Sequence, residues 1–234
     1  MSGQGAPGYL VPAASSQGEL REKGSRFLAL VFPAARPAAA AAALAEVRRR
    51  HPDATHHCWA SRLGPAAAAR SSDGGEPAGT AGVPILRVLE GAGLSDAVCV
   101  VVRWFGGTKL GKGGLARAYA AAAREALAGL EVRLRVPTVE LAVDLPYERL
   151  GAVRRLLRPP EVTLVAESYG ERATLRLAVH EPALAGLLAA LAGLGLSSSL
   201  SPPPSSDRVL PHNPSAGAGR RGWRIPSQGG PERE

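Results

Sequence analysis

Cysteine, lysine and aromatic residues are all scarce in this 234-residue chain, and each shortage removes a class of function. Two cysteines, Cys58 and Cys99, are too few for the disulfide framework of a secreted scaffold, so a reducing compartment, the cytoplasm, is expected. Ten aromatic side chains cannot build the wide platform on which long runs of unpaired bases stack. The longest uncharged apolar run, residues 183–196, is 14 residues long, short of the roughly 20 that span a bilayer. The N-terminus, MSGQGAPGYLVPAASS, has neither the basic region and apolar core of a secretory signal nor a Met-Gly start for myristoylation, so no membrane partner is expected.

Lysine occurs three times against 25 arginines, and 43 residues are alanine. Such usage is a composition bias, so the net charge of +8 points to a partner only where it is concentrated. Residues 1–137 carry a net +7, residues 138–196 carry −1 and the remainder carries +2. A polyanionic partner is expected for the first region alone.

The length suits two small domains with tails. Residues 1–19, rich in Gly, Pro and Ser, are expected to be disordered. Patterning predicts a strand over 27–32, a helix over 37–50, a strand over 55–63 and a flexible loop over 64–75. It then predicts a short helix over 83–90, a strand covered on both faces over 96–103 and a helix over 115–130. Pro137 marks a joint between a domain over 20–136 and a second over 137–196. The second has the strand–helix–strand–strand–helix order of a ferredoxin-like unit without a good closing strand. Residues 197–234 are expected to be a low-complexity, disordered tail.

Residues 106–114, GGTKLGKGG, hold five glycines, Gly106, Gly107, Gly111, Gly113 and Gly114, and two of the three lysines, Lys109 and Lys112. Between a buried strand and a helix, such a segment is either a tight structural turn or a place where free backbone N–H groups and the helix dipole meet an anion. Arg103 and Arg117 flank it, and Trp104 and Phe105 add aromatic faces. The spacing matches G-x-x-x-x-G-K, but Gly113 stands where a nucleotide-hydrolysing loop needs Ser or Thr for Mg²⁺. A G-x-G-x-x-A match at Gly111, Gly113 and Ala116 lacks the alternating strands and helices of a dinucleotide fold.

Asp73 and Glu76 are a possible metal or acid/base pair, or part of an Asp-Gly turn, and no third ligand is fixed nearby. On the strand over 55–63, alternation puts His56 and Cys58 on one face and His57 and Trp59 on the other. Neither CxxC, HxxxH, GxSxG nor HExxH occurs, so no metal and no cofactor is expected.

Four segments, KGSRF (23–27), HPDATHHCWA (51–60), DGGEPAGTAG (73–82) and RWFGGTKLGKGGLARAY (103–119), together resemble the YigZ/IMPACT family. Residues 138–194 resemble the smaller second domain of its bacterial branch. The resemblance implies an α+β chain: an elongation factor G domain IV-like N-terminal domain, a fold shared with GHMP-type kinases, then a smaller ferredoxin-like, domain V-like α+β domain. For the eukaryotic members it implies translational control, by competition for the co-activator of a kinase that phosphorylates an initiation factor. Those members carry an additional N-terminal partner-binding domain, so that interaction is not expected of this chain. For the bacterial members it implies nucleic-acid or ribosome binding.

The expected function is a non-enzymatic regulator of translation that binds RNA or the ribosome. Arg103, Lys109, Lys112 and Arg117 would contact phosphates, the five glycines would admit a close backbone approach, and Trp104 or Phe105 would stack on a base. Two alternatives stay open: an enzyme binding a small phosphorylated ligand or nucleotide at the same loop, and a protein-interaction module using the 64–75 loop or the tail. Asp73, Glu76, Gly79 and Thr80 form a motif loop with no assigned role. The family pattern Asp-Asp-Gly-Glu-Pro-Ser-Gly-Thr-Ala-Gly has lost a carboxylate at Gly74 and a hydroxyl at Ala78.

Overall fold

The computed structural model describes residues 8–64 and 69–201, which form two α+β units with separate cores. The chain opens with a short strand, β1 (Tyr9–Pro12), and then builds a five-stranded sheet. Strands β2 (Ser16–Glu22), β3 (Ser25–Pro33), β4 (His56–Arg62), β5 (Arg70–Ser72) and β6 (Ala97–Trp104) pair in the order β2-β3-β6-β4-β5, every pair antiparallel. Helix α1 (Pro37–Arg50) covers one face, and helices α2 (Gly82–Gly91) and α3 (Gly111–Ala128) cover the other.

The Val-rich run of β6 lies at the centre, as its unbroken apolar pattern predicts. Val98, Val100 and Val102 pack toward α1 with Leu28 and Leu30. Cys99 and Val101 pack toward α2 and α3 with Phe27, Ile85 and Tyr119. The helix predicted from residue 115 begins a turn earlier, at Gly111, because glycines are poor helix formers and conceal the helical start of the segment.

Expected disorder at the start of the chain is corrected by the structure. Residues 9–12 and 16–22 are strands. Val11 is 3% exposed, and the Leu10 carbonyl accepts the Ser95 N–H. Gly18 and Ser16 are packing residues: a Cβ on Gly18 would overlap the backbone of α3 at Glu125 and Ala126, and Ser16 Oγ donates to the Ala126 carbonyl at 2.7 Å. Within the loop expected over 64–75, residues 70–72 form the edge strand β5.

Strand β7 (Val132–Arg135) pairs with β1, and Asp96 ties both to the main sheet. Its carboxylate accepts hydrogen bonds from Tyr9 Oη, the Gly64 N–H and Arg135 Nη1 at 3.0, 2.7 and 2.7 Å. Burial, then the neighbouring Asp96 charge, pushes the Tyr9 phenol up to about 12.

The second unit runs β8 (Thr138–Leu145), α4 (Tyr147–Arg154), β9 (Val162–Tyr169), β10 (Ala173–His180), α5 (Glu181–Gly193) and β11 (Ser198–Ser201). Its antiparallel sheet has the order β11-β8-β10-β9, the ferredoxin-like arrangement. Leu141, Val143, Leu175, Leu177, Leu187 and Leu191 form its core. The closing strand that the sequence pattern does not reveal is therefore present, as β11. Serine-rich and four residues long, it has no apolar alternation to read and is held at the sheet edge by pairing with residues 140–143 of β8. Of the tail expected to be disordered, 202–234 lies outside the described residues, as do 1–7. Among the described residues no helix is long and apolar enough to cross a membrane.

Candidate functional site

The four motifs meet at one carboxylate. Glu76 follows β5, and its side chain is 4% exposed. Its Oε1 accepts from Arg103 Nη1 at 2.6 Å and from Tyr119 Oη at 2.8 Å, with His56 Nε2 at 3.8 Å. His56 is aimed by its other nitrogen, which donates to the Gly74 carbonyl at 3.1 Å. Arg103 reaches this point because β6 alternation turns it to the α3 side, where Nη2 also donates to Ser25 Oγ. The sequence-based role of Arg103 as a phosphate contact is thereby corrected. Its side chain is only 5% exposed and its charge is matched by Glu76. Among the described residues, Arg103 Nε and Arg26 Nε are the buried side-chain polar atoms without a hydrogen-bond partner. Each guanidinium lies over aromatic faces, Arg103 over Phe27 and Phe105 and Arg26 over Trp104.

Cys58 lies on the same sheet face, and its thiol donates to the Asp73 carbonyl. Burial pushes that thiol up to about 12, so it is protonated at neutral pH and is no nucleophile. Among the described residues no group of three or more His, Cys, Asp or Glu side chains could hold a metal ion.

Asp73 has a structural task the sequence rules miss. Its Oδ1 accepts the N–H groups of Ala81 and Gly82, and its Oδ2 that of Gly79, all at 2.9 Å. It therefore caps α2, whose own N-cap residue, Ala81, has no side-chain acceptor. The nine-residue separation from Gly82 lies far outside the local capping pattern, so no sequence signal reveals it. Burial would raise the Asp73 pKa, but the backbone donors outweigh it and hold the carboxyl below its usual value. Thr80 is buried and closes a turn by donating to the Pro77 carbonyl at 2.7 Å; Gly79, at φ +75°, supplies the left-handed step before it.

Of the two aromatic candidates, Trp104 is fully engaged. Its indole N–H donates to Asp53 at 2.8 Å, Arg26 lies 4.7 Å from its ring, and His51 meets it edge-on. Phe105 is held by its backbone N–H, which donates to Thr55 Oγ1, and by Arg103 over its ring, yet the residue is 46% exposed. Next to it, Gly106 lies against Gly24 so closely that a Cβ would overlap the Gly24 backbone. Gly107 and Gly111 have φ of +87° and +68° and open space around them.

Lys109, Lys112, Arg117 and Arg124 are all exposed and have no acidic partner among the described residues. On α3, Arg117 and Arg124 lie opposite the stripe formed by Leu115, Tyr119, Ala122 and Ala126. Lys112, Gly113 and Gly114 form the first turn of that helix, which no side chain caps. The site thus has two parts: a buried network in which Arg103 and Glu76 neutralise each other, and an exposed basic turn with one accessible aromatic ring.

Residues 23–127 match the Impact N-terminal domain, and residues 143–194 match the domain of unknown function DUF1949. The IMPACT family member YigZ of Escherichia coli K12 is 36% identical over 187 residues, covering 79% of this chain and 92% of its own. An IMPACT family member of Thermus thermophilus is 46% identical over 156 residues, covering 65% of this chain and 84% of its own. A crystal structure of a hypothetical protein, 33% identical, superposes with a TM-score of 0.64, covering 84% of this chain and 98% of that one. With both domains matched in order and relatives similar over most of their length, the chain belongs to the IMPACT family.

Proposed function

We propose that this protein regulates translation without catalysing a reaction, by binding RNA or the ribosome through Lys109, Lys112, Arg117 and Arg124, with Phe105 stacking on a base. One observation carries the reading: four cations on one turn and its helix stand in solvent with no acidic partner among the described residues. Lys109 and Lys112 adjoin an uncapped helix N-terminus, where the dipole favours an anion, and Arg117 and Arg124 follow along the exposed face of the helix. The second domain, near neutral, supplies no comparable charge excess. The absence of catalysis is supported by the state of the groups that could perform it. Glu76 is bonded to Arg103 and Tyr119, and Cys58 carries a protonated thiol. The link to translation rests on the resemblance of the fold to domains IV and V of elongation factor G.

RNA affinity of the full chain, measured over a salt series, tests this. The wild type should bind with a steep salt dependence, and Lys109→Ala/Lys112→Ala should bind more weakly with a slope flatter by about 1.4 on single-stranded RNA. Equal, salt-insensitive binding by the two proteins would remove the proposal.

A further inference from the structure

We infer that the first unit holds another binding site, apart from the basic turn: a groove between α1 and the β4–β5 edge that takes a small amphiphilic carboxylate. The apolar body would lie against Trp59 and the anionic head on Arg70.

One wall is a single stripe of α1, where Pro37, Ala40, Ala41 and Leu44 recur at helical spacing. The opposite wall is the sheet. Trp59 and Ser61 alternate onto one face of β4 with Leu63 following, and the antiparallel register sets Arg70 of β5 directly opposite Ser61. Helix α1 packs mainly over β3 and β6, and alanine side chains are too short to fill the space toward β4 and β5. What remains is an open groove of about 240 Å³.

Three polar groups converge on it without partners. Ser61 is only 3% exposed, and its hydroxyl, which makes no hydrogen bond among the described residues, is open to the groove rather than sealed in the core. The half-buried Trp59 indole N–H and the exposed Arg70 guanidinium, on the same lining, also have no hydrogen-bond or ion-pair partner among the described residues. Mostly apolar walls with a few convergent polar groups are the usual make-up of a ligand pocket, and the volume, below that of drug-sized sites, suits a small ligand.

Among the described residues Arg70 is the one charged side chain on the lining, so it selects an anion. Its planar guanidinium matches a carboxylate, while the apolar walls disfavour a bare inorganic ion that would lose hydration without burying apolar surface. An acid with a short hydrocarbon or aromatic body satisfies both parts. Nothing in this site overlaps Lys109, Lys112 or α3, so it stands whether or not RNA binding is found.

Octanoate, and octanol as its uncharged counterpart, are titrated into the full chain while the amide resonances of Ala40, Ala41, Ser61 and Arg70 are followed. Octanoate should shift these resonances saturably. Arg70→Ala should weaken octanoate roughly 10- to 100-fold and leave octanol nearly unchanged. Ala41→Phe, at an exposed helical position, should fill the groove and abolish both. No saturable shift at millimolar octanoate, or shifts confined to other residues, overturns the site. Unchanged octanoate affinity in Arg70→Ala overturns the carboxylate assignment.

Discussion

Arg103 Nη1 lies 2.6 Å from Glu76 Oε1, with both side chains 5% exposed or less. The cation and the carboxylate that the sequence offers for separate chemical roles thus neutralise each other, and Ser25, His56 and Tyr119 are arranged around them. The motifs that define the first domain converge here as a bracket between β3, β4, β6 and α3.

Breaking that pair on one side leaves a buried charge without compensation. Arg103→Met should cost about 3 kcal/mol, and the double variant Arg103→Met/Glu76→Leu should recover part of the loss. Urea denaturation of the two variants and the wild type measures both. An unchanged midpoint for Arg103→Met would show that the pair does not hold the bracket.

Phe105 and Trp104 should separate in their effects. Phe105→Ala is expected to weaken single-stranded RNA binding by about 1–3 kcal/mol with stability near the wild type, because its ring is exposed. Trp104→Ala is expected to lower stability first, since it removes partners of Asp53, Arg26 and His51. RNA titration paired with thermal unfolding decides, and the reverse pattern contradicts the assignment.

The two adjacent glycines should likewise differ. Gly106→Ala drives a methyl group into the Gly24 backbone and should be severely destabilising, by more than about 2 kcal/mol. Gly107→Ala has room and pays only for its positive φ, about 1 kcal/mol. Equal midpoints in denaturant would refute the close packing of Gly24 and Gly106.

Acid should destabilise the protein in two steps. Burial is the main cause holding His57 below its ordinary pKa, against the opposing bond it donates to the His51 carbonyl. The unfolded chain therefore takes up this proton first, near pH 6.5, and stability present above that value declines as pH falls through the folded pKa. Asp73, held low by backbone donors that outweigh its burial, gives a second loss below about pH 3.9. His57→Gln should remove the upper step. Asp73→Asn should cost about 1 kcal/mol at neutral pH and remove the lower one. Unfolding free energies across the acid range check both, and an upper step that survives in His57→Gln would contradict its origin.

Strand β6, helix α1 and the strand–helix order of the second unit were legible in the sequence, because β6 is an unbroken apolar run, α1 opens on Pro37 and continues as alanine, and Pro and Gly punctuate the second unit. Strand β11 was not, since an edge strand of three serines and a leucine depends on pairing with β8 rather than on its own pattern. Strand β2 was hidden for a similar reason. Its Ser16 and Gly18 look like linker residues until α3 lies against them.

Four motifs in order carried the resemblance to the family and its two-unit α+β architecture, while local spacing alone revealed the gathering of scarce lysine into one glycine-rich turn. Only the tertiary structure decided which charges remain available. Arg103 and Lys109 are six positions apart, but β6 alternation turns the first onto Glu76 while the second stands in solvent beyond the strand end. Exposure depends on which elements pack over a side chain, and no window of neighbouring residues contains that information.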